Sequence, residues 1–243
     1  MNASMRVSTY MPTNESVLSG AADPGSRTER AYQRLRAEIL QGALAPGERL
    51  RAADLDARYD LGLTPIREAL VRLGTEDLVL MESNRGARVR ETSPEEFADL
   101  MKTRREIERL CLAEAIRLGD SKWEAEVIAA LHVLTRTPLP DFTDPVLTAK
   151  WEAHHRRFHA ALVSACGSEW LLRFWNQLAD HSERYRMIRL KGPLEARNVQ
   201  AEHQAILDAV LRRDMEETIA LMDAHLRETE VAVQLAMTTP VQA

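Results

Sequence analysis

Along residues 28–41 the apolar side chains fall on one helical face, with Tyr32, Leu35 and Ile39 at the spacing of an α-helix. Gly42 stops the run, and Pro46-Gly47 makes a turn. A shorter helix is expected over 52–59, with Leu55 and Tyr59 inward. Leu61-Gly62-Leu63 then turns the chain into a third helix. Thr64 can cap that helix, and Pro65 suits its first position, where no backbone N–H needs a partner. Ile66, Leu70 and Leu73 form its buried stripe, while Thr64, Arg67 and Val71 face away. Two short strands are expected at 78–82 and 87–90, joined by Ser83-Asn84-Arg85-Gly86, residues that tolerate a hairpin turn. Elements in this order predict a winged helix-turn-helix, which places one helix in the DNA major groove.

Thr92-Ser93-Pro94 marks a boundary. Beyond it no strand pattern appears, only helical runs at roughly 94–118, 121–135, 145–166, 169–190, 193–212 and 215–237. The clearest interruptions are 141–145 and 191–193. Six helices with short joints predict an antiparallel bundle. The expected fold class is therefore mostly α. An N-terminal winged helix-turn-helix of three helices plus a small β-hairpin spans 27–91, and an all-α antiparallel bundle of about six helices spans 94–237. Residues 1–26 are polar and rich in Ser, Thr, Pro and Gly, and are expected to form a disordered leader; 238–243 is expected to fray. The leader lacks the charged and apolar regions of a signal peptide.

Composition changes this picture little. A chain of 243 residues with 45% hydrophobic and 28% charged residues is that of an ordinary soluble globule. No apolar run approaches the eighteen or so residues of a membrane span, so no membrane partner is expected. Cys111 and Cys166 sit in apolar helical stretches and are expected as buried free thiols, which points to the cytoplasm. Charge is more informative. The net value is -5, yet residues 27–90 hold 12 Arg against 10 Asp or Glu, a balance of +2 that leaves -7 for the rest. Only one end is suited to phosphate. Within it, Arg67 stands near the start of the groove-seated helix, where a guanidinium can fork onto guanine O6 and N7. The alternative for Arg67 is an intramolecular ion pair, and Arg72 is less well placed. Arg85 beside Gly86 can approach the sugar-phosphate backbone closely, or is an exposed turn residue.

The helical half carries the second candidate chemistry. Of seven histidines, His155 and His159 stand i,i+4 on one helix face, and His203 and His225 lie on two later helices. Four imidazoles meeting in a bundle core suit zinc or nickel; the alternative is buried histidines hydrogen-bonded to one another. His132 and His154 are expected to face solvent, and His181 is left open. Arg104 and Glu108 share a face, either as a surface pair or with Arg104 gripping a carboxylate in a cavity. Arg184 and Arg186 offer a second cationic wall or a solvated face. Trp123, Trp151, Trp170 and Trp175 are expected in the core. His155-Arg-Arg-Phe-His159 lacks the Glu that an HExxH hydrolase would use as base, and no nucleophile elbow, phosphate loop or dinucleotide fingerprint appears. No enzyme is expected.

The runs PGERL, TPIREALVRLGTEDLV and NRGARV resemble the GntR family of bacterial transcription regulators. RREIE at 104–108, FH at 158–159, EH at 202–203 and HL at 225–226 resemble its FCD branch, named for an all-helical effector domain; the resemblance spans about 28–235. It implies a homodimer on a short palindromic operator of double-stranded DNA, contacted through Arg51, Thr64, Pro65, Arg67, Arg85 and Gly86. It also implies a divalent metal ion, zinc or nickel, on His155, His159, His203 and His225, and a small carboxylate effector on Arg104 and Arg184. Such a chain is expected to act as an effector-controlled repressor.

Three departures matter. Gly62-Leu63 stands where the family often has Ser-Arg, and Ala53 stands near an arginine common in its second helix, with Arg51 close by. His155 stands where the branch has an Asp ligand, which favours an anionic effector as a further ligand or weakens the metal site. HHRRFHAALVSACGS and ERYRMI also look like carbon-starvation regulators that answer to glutarate-type dicarboxylates, so a dicarboxylate is the expected class. A metal-dependent hydrolase fused to a DNA-binding module and a constitutive DNA binder remain as alternatives.

Overall fold

The computed structural model describes residues 25–82, 86–140, 144–189 and 197–238. The expected leader lies almost wholly outside the described residues, as do the wing tip with Arg85, the breaks at 141–143 and 190–196, and the tail from 239.

Helix α1 (Arg27–Leu40) is capped by Ser26, whose Oγ accepts the Glu29 N–H at 3.1 Å. Strand β1 (Arg49–Leu50) and helix α2 (Ala52–Tyr59) follow. Helix α3 (Leu63–Thr75) starts earlier than its sequence suggests. Thr64 does not cap it; Gly62 does, at φ 96°, and the Gly62 N–H donates to Asp56 Oδ1 at 2.6 Å. The left-handed backbone that only glycine enters readily lets the helix begin at Leu63. Pro65 is then third rather than first, still within the turn whose amides have no intrahelical acceptor.

Strands β2 (Val79–Glu82) and β3 (Gly86–Val89) form the wing. The sheet has a third strand that the apolar pattern does not show, in the antiparallel order β1-β3-β2. Leu50 lies opposite Ala87, and Val79 opposite Val89. Gly86 takes φ 91°, and a Cβ there would lie 3.1 Å from the Leu50 carbonyl oxygen. Leu35, Ile39, Leu50, Ile66, Leu73 and Val89 are among the buried residues of this half.

Ser93 caps α4 (Pro94–Leu118), with Pro94 in its first turn. The others are α5 (Ser121–Thr135), α6 (Pro145–Val163), α7 (Glu169–Arg189), α8 (Val199–Leu211) and α9 (Met215–Thr238). Helix α4 packs on α6, α7 and α9, α5 on α6 and α8, and α9 also on α7 and α8. Their core holds Phe97, Met101, Leu112, Phe158, Trp175 and Ile206. Helix α8 starts at Val199, capped by Asn198, later than the expected 193. Cys111 and Cys166 are free and buried. Trp123, Trp151 and Trp175 are buried, but Trp170 is 66% exposed, on the outer side of the first turn of α7, whose Leu171 and Leu172 pack against the core. Among the described residues no helix is long and apolar enough to cross a membrane.

Helix α7 joins the two halves. Asp180 receives Arg36 from α1 and Arg156 from α6. His181 Nε2 lies 3.0 Å from the Glu76 carbonyl oxygen, which it can meet only as a donor. The Tyr185 hydroxyl donates to Glu96 Oε2 at 2.8 Å.

Candidate effector site and DNA-contact face

Three helices bring four histidines together. His155 and His159 lie one turn apart on α6, His203 stands on α8 and His225 on α9. All four are buried, and one ring nitrogen from each lies within 4.8 Å of the others. His155 Nε2 and His159 Nε2 are 3.1 Å apart. The His225 Nδ1 is 2.8 Å from Glu202 Oε2, so Nδ1–H donates to the carboxylate and the Nε2 lone pair is left free. Arg197 closes this corner, donating to the His225 carbonyl oxygen at 2.7 Å. Burial opposes ionisation of Glu202, but the hydrogen bonds of His225 and Arg197 hold its carboxyl down at about 2.

The cluster is electrostatically neutral and short of donors. Burial pushes His155 and His159 well below the ordinary histidine value, and the neighbouring imidazoles, Arg104 and Arg186 add to this. Burial, then His225, takes His203 to about 3; burial also lowers His225, against the pull of Glu202. Neutral imidazoles carry the lone pairs that metal ions need. His155 Nδ1, His159 Nδ1 and His203 Nε2 have no hydrogen-bond partner among the described residues. A single N–H between two Nε2 atoms satisfies little of this set. Their 3.1 Å separation is near the ~3.3 Å edge of a nitrogen tetrahedron about an ion at ~2.05 Å. The residues present fit a borderline cation.

No carboxylate among the described residues joins the four nitrogens. The nearby acids are engaged by other groups. Glu152 Oε2 accepts from Arg186 Nη2 at 2.7 Å, and Glu108 Oε2 from the Trp175 indole at 2.7 Å. Arg104 lies 3.9 Å from Glu108 and donates to Ser182 Oγ; both ends of the pair are buried, so it is no surface ion pair. Burial lowers Arg104 to about 10, with Glu108 resisting, so it stays charged at neutral pH. Arg104 and Arg186 each keep an Nε without a hydrogen-bond partner among the described residues.

The structure separates Arg184 from Arg186. Arg184 Nη2 donates to the Arg90 carbonyl oxygen at 2.5 Å, facing the winged helix and not the histidines. Two residues on, roughly 200° around the helix, Arg186 faces the cluster beside Glu152, opposite to the expectation for the pair. His132 is exposed, whereas His154 is half-buried against Thr137 Oγ1 at 2.7 Å, a partner the sequence does not announce.

On the first half, α3 turns Leu63, Thr64, Arg67 and Val71 outward and buries Ile66, Ala69, Leu70 and Leu73. Arg67 has no hydrogen bond or ion pair among the described residues. Arg72, in contrast, is held: its Nη1 donates to Glu29 at 2.7 Å and its guanidinium lies 3.5 Å over the Tyr32 ring. Arg51 is exposed ahead of α2, and Pro65 is half-buried on the α3 turn. Gly86 opens β3; Arg85 falls outside the described residues.

Comparison with known proteins divides the chain in the same way. Residues 27–89 match the model of bacterial regulatory proteins of the gntR family, and residues 99–228 match the FCD domain. The HTH-type transcriptional regulator BphR of Paraburkholderia xenovorans is 39% identical over 213 residues, covering 87% of this chain and 86% of its own. The HTH-type transcriptional repressor GlaR of Escherichia coli is 35% identical over 210 residues, covering 85% and 95%. In fold, the chain is similar to E. coli McbR/YncC, with a TM-score of 0.75 at 20% identity over 88% of this chain and 99% of that one. It is also similar to a GntR regulator of a Rhodococcus species, with a TM-score of 0.69 at 24% identity, over 85% and 97%. Relatives and family models alike describe regulators and not enzymes. The outward arginine of α3 and the histidine cluster between the bundle helices thus belong to one regulator, and the chain is a member of the GntR family of bacterial DNA-binding transcription regulators, with an FCD effector-binding domain.

Proposed function

We propose that the protein is a cytoplasmic repressor whose hold on a palindromic operator, taken as a homodimer, is released by a small dicarboxylate. The observation that carries this reading is the charge balance of the histidine chamber. Four neutral imidazoles stand beside two buried arginines whose Nε atoms have no hydrogen-bond partner among the described residues, and Glu152 and Glu108 nearby each already accept a hydrogen bond from another group. His155, His159, His203 and His225 would hold zinc or nickel, and the ion would supply positive charge and a coordination position for an anion. Arg104 then suits one carboxylate and Arg186 the other, through the paired N–H donors of a guanidinium. The GlaR relative is itself a repressor, which supports that direction of control.

Helix α7 gives the chamber a mechanical link to the DNA-binding half. Ser182 and Arg186 touch the chamber, and Asp180, His181 and Arg184 touch the winged helix. An effector can shift this arrangement only if it binds one state of the dimer more tightly than the other. On DNA, Arg67 reads a guanine, Thr64 and Arg51 add contacts, and the wing at Gly86 approaches the backbone.

The test uses full-length protein with zinc, and a series of mono- and dicarboxylates in thermal shift and operator binding. Stabilisation and operator release by a dicarboxylate, lost on chelation and in Arg104→Met, are expected. Operator affinity indifferent to every carboxylate and to chelation would identify a constitutive binder instead.

A further inference from the structure

The outer face of α3 carries more than an arginine. Leu63 is 42% exposed and Val71 54%, and they stand four residues either side of Arg67 on one stripe. A lone exposed leucine is ordinary. Here the pair brackets a guanidinium that has no partner among the described residues, and the opposite face has already filled the core with Ile66, Ala69, Leu70 and Leu73. Among the described residues, neither Leu63 nor Val71 takes part in the core of this half.

We infer that Leu63 is a specificity-determining residue that packs on the C5-methyl of a thymine next to the guanine read by Arg67; this rests on the proposed DNA contact of Arg67. The thymine methyl is the apolar group that base pairs present in the major groove, and an aliphatic side chain matches it. Leu63 is favoured over Val71 because it opens the helix, and N-terminal residues of a groove-seated helix meet base edges. Side chains on a helix tilt toward its N-terminus, which carries Leu63 further into the groove. Four residues at about 1.5 Å each put Leu63 about 6 Å from Arg67 along the axis. With base pairs stacked about 3.4 Å apart, the thymine lies within about two steps of the guanine.

The full-length protein selects duplexes from a randomised pool, and each thymine of one half-site is then replaced by deoxyuridine, which lacks only the methyl. One thymine within two steps of the Arg67-dependent guanine is expected to lose about fourfold in affinity, the worth of one buried methyl group. Leu63→Ala should lose a similar factor and become insensitive to the uracil. Thr64→Ser should keep the sensitivity, since its own methyl is the competing explanation. The inference is overturned if no such thymine responds, if the response survives in L63A, or if it disappears in T64S. Equal loss by Arg67→Ala on selected and random DNA overturns the Arg67 contact itself; absence of any enriched duplex overturns both.

Discussion

Acid should unfold the metal-free protein through its histidine chamber, and the size of the effect follows from burial. Folded His203 has a value of about 3 against 6.5 for an ordinary histidine, so below pH 6.5 the unfolded chain binds a proton that the folded chain refuses. Stability therefore falls with falling pH. Between about pH 7 and pH 5.5 the loss for His203 integrates to about 1.3 kcal/mol. His155, His159 and His225, lowered by burial in the same way, add to the loss in the same direction.

Glu183 works in the other direction. Burial and the neighbouring Glu152 raise it to about 7, so the folded state takes up its proton first and gains about 1.6 kcal/mol over the same interval. The His203 loss and the Glu183 gain nearly offset each other, so the net acid loss is carried by His155, His159 and His225. Urea midpoints at the two pH values, with chelator throughout, measure it. His203→Gln keeps a polar side chain that does not titrate, and should shrink the acid loss by about 1.3 kcal/mol whatever it does to stability at pH 7. An unchanged acid loss in H203Q would refute the burial account of the cluster.

Four further outcomes are expected. His159→Ala with His203→Ala should abolish bound zinc in elemental analysis, and stoichiometric retention would disprove the ligand set. Arg67→Ala should weaken operator binding by about 1–3 kcal/mol in fluorescence anisotropy while leaving random duplexes unaffected. Asp180→Ala leaves Arg36 and Arg156 without their shared carboxylate and should cost about 1–3 kcal/mol; hydrogen exchange should show faster opening of α1, and unchanged protection would show the contact to be idle. Gly119→Ala should be among the more damaging glycine changes by thermal melt, because its Cβ would meet the Trp123 ring at 2.2 Å and the Ala115 carbonyl oxygen at 2.7 Å.

The helical periodicity carried the fold because each helix buries one continuous face, and α4 and α5 begin and end where the sequence pattern places them. Strand β1 escaped because two residues have no period to detect. The sequence misplaces the start of α3 because Thr-Pro resembles a helix entry more than Gly-Leu does, while the real signal is the Gly62 N–H donating to the Asp56 side chain, six residues earlier. The histidines that converge were legible from the i,i+4 pair and the two later helices. Their supports were not. Glu202 was passed over although it adjoins His203, because it serves His225 on another helix. Arg184 and Arg186 were indistinguishable in sequence, since which one faces the chamber depends on the rotation of α7, and that is set by long-range packing on α4 and α9.

That rotation has a consequence for engineering sensors. The binding code for the DNA-binding half is written partly outside it: Asp180, His181 and Arg184 on α7 grip the Arg36 side chain and the carbonyl oxygens of Glu76 and Arg90. A chimera that grafts a foreign winged helix at Ser93 would inherit half of each handshake. Such a fusion should fold and bind its operator yet answer poorly to effector, until the three α7 residues that face the winged helix are transplanted with it.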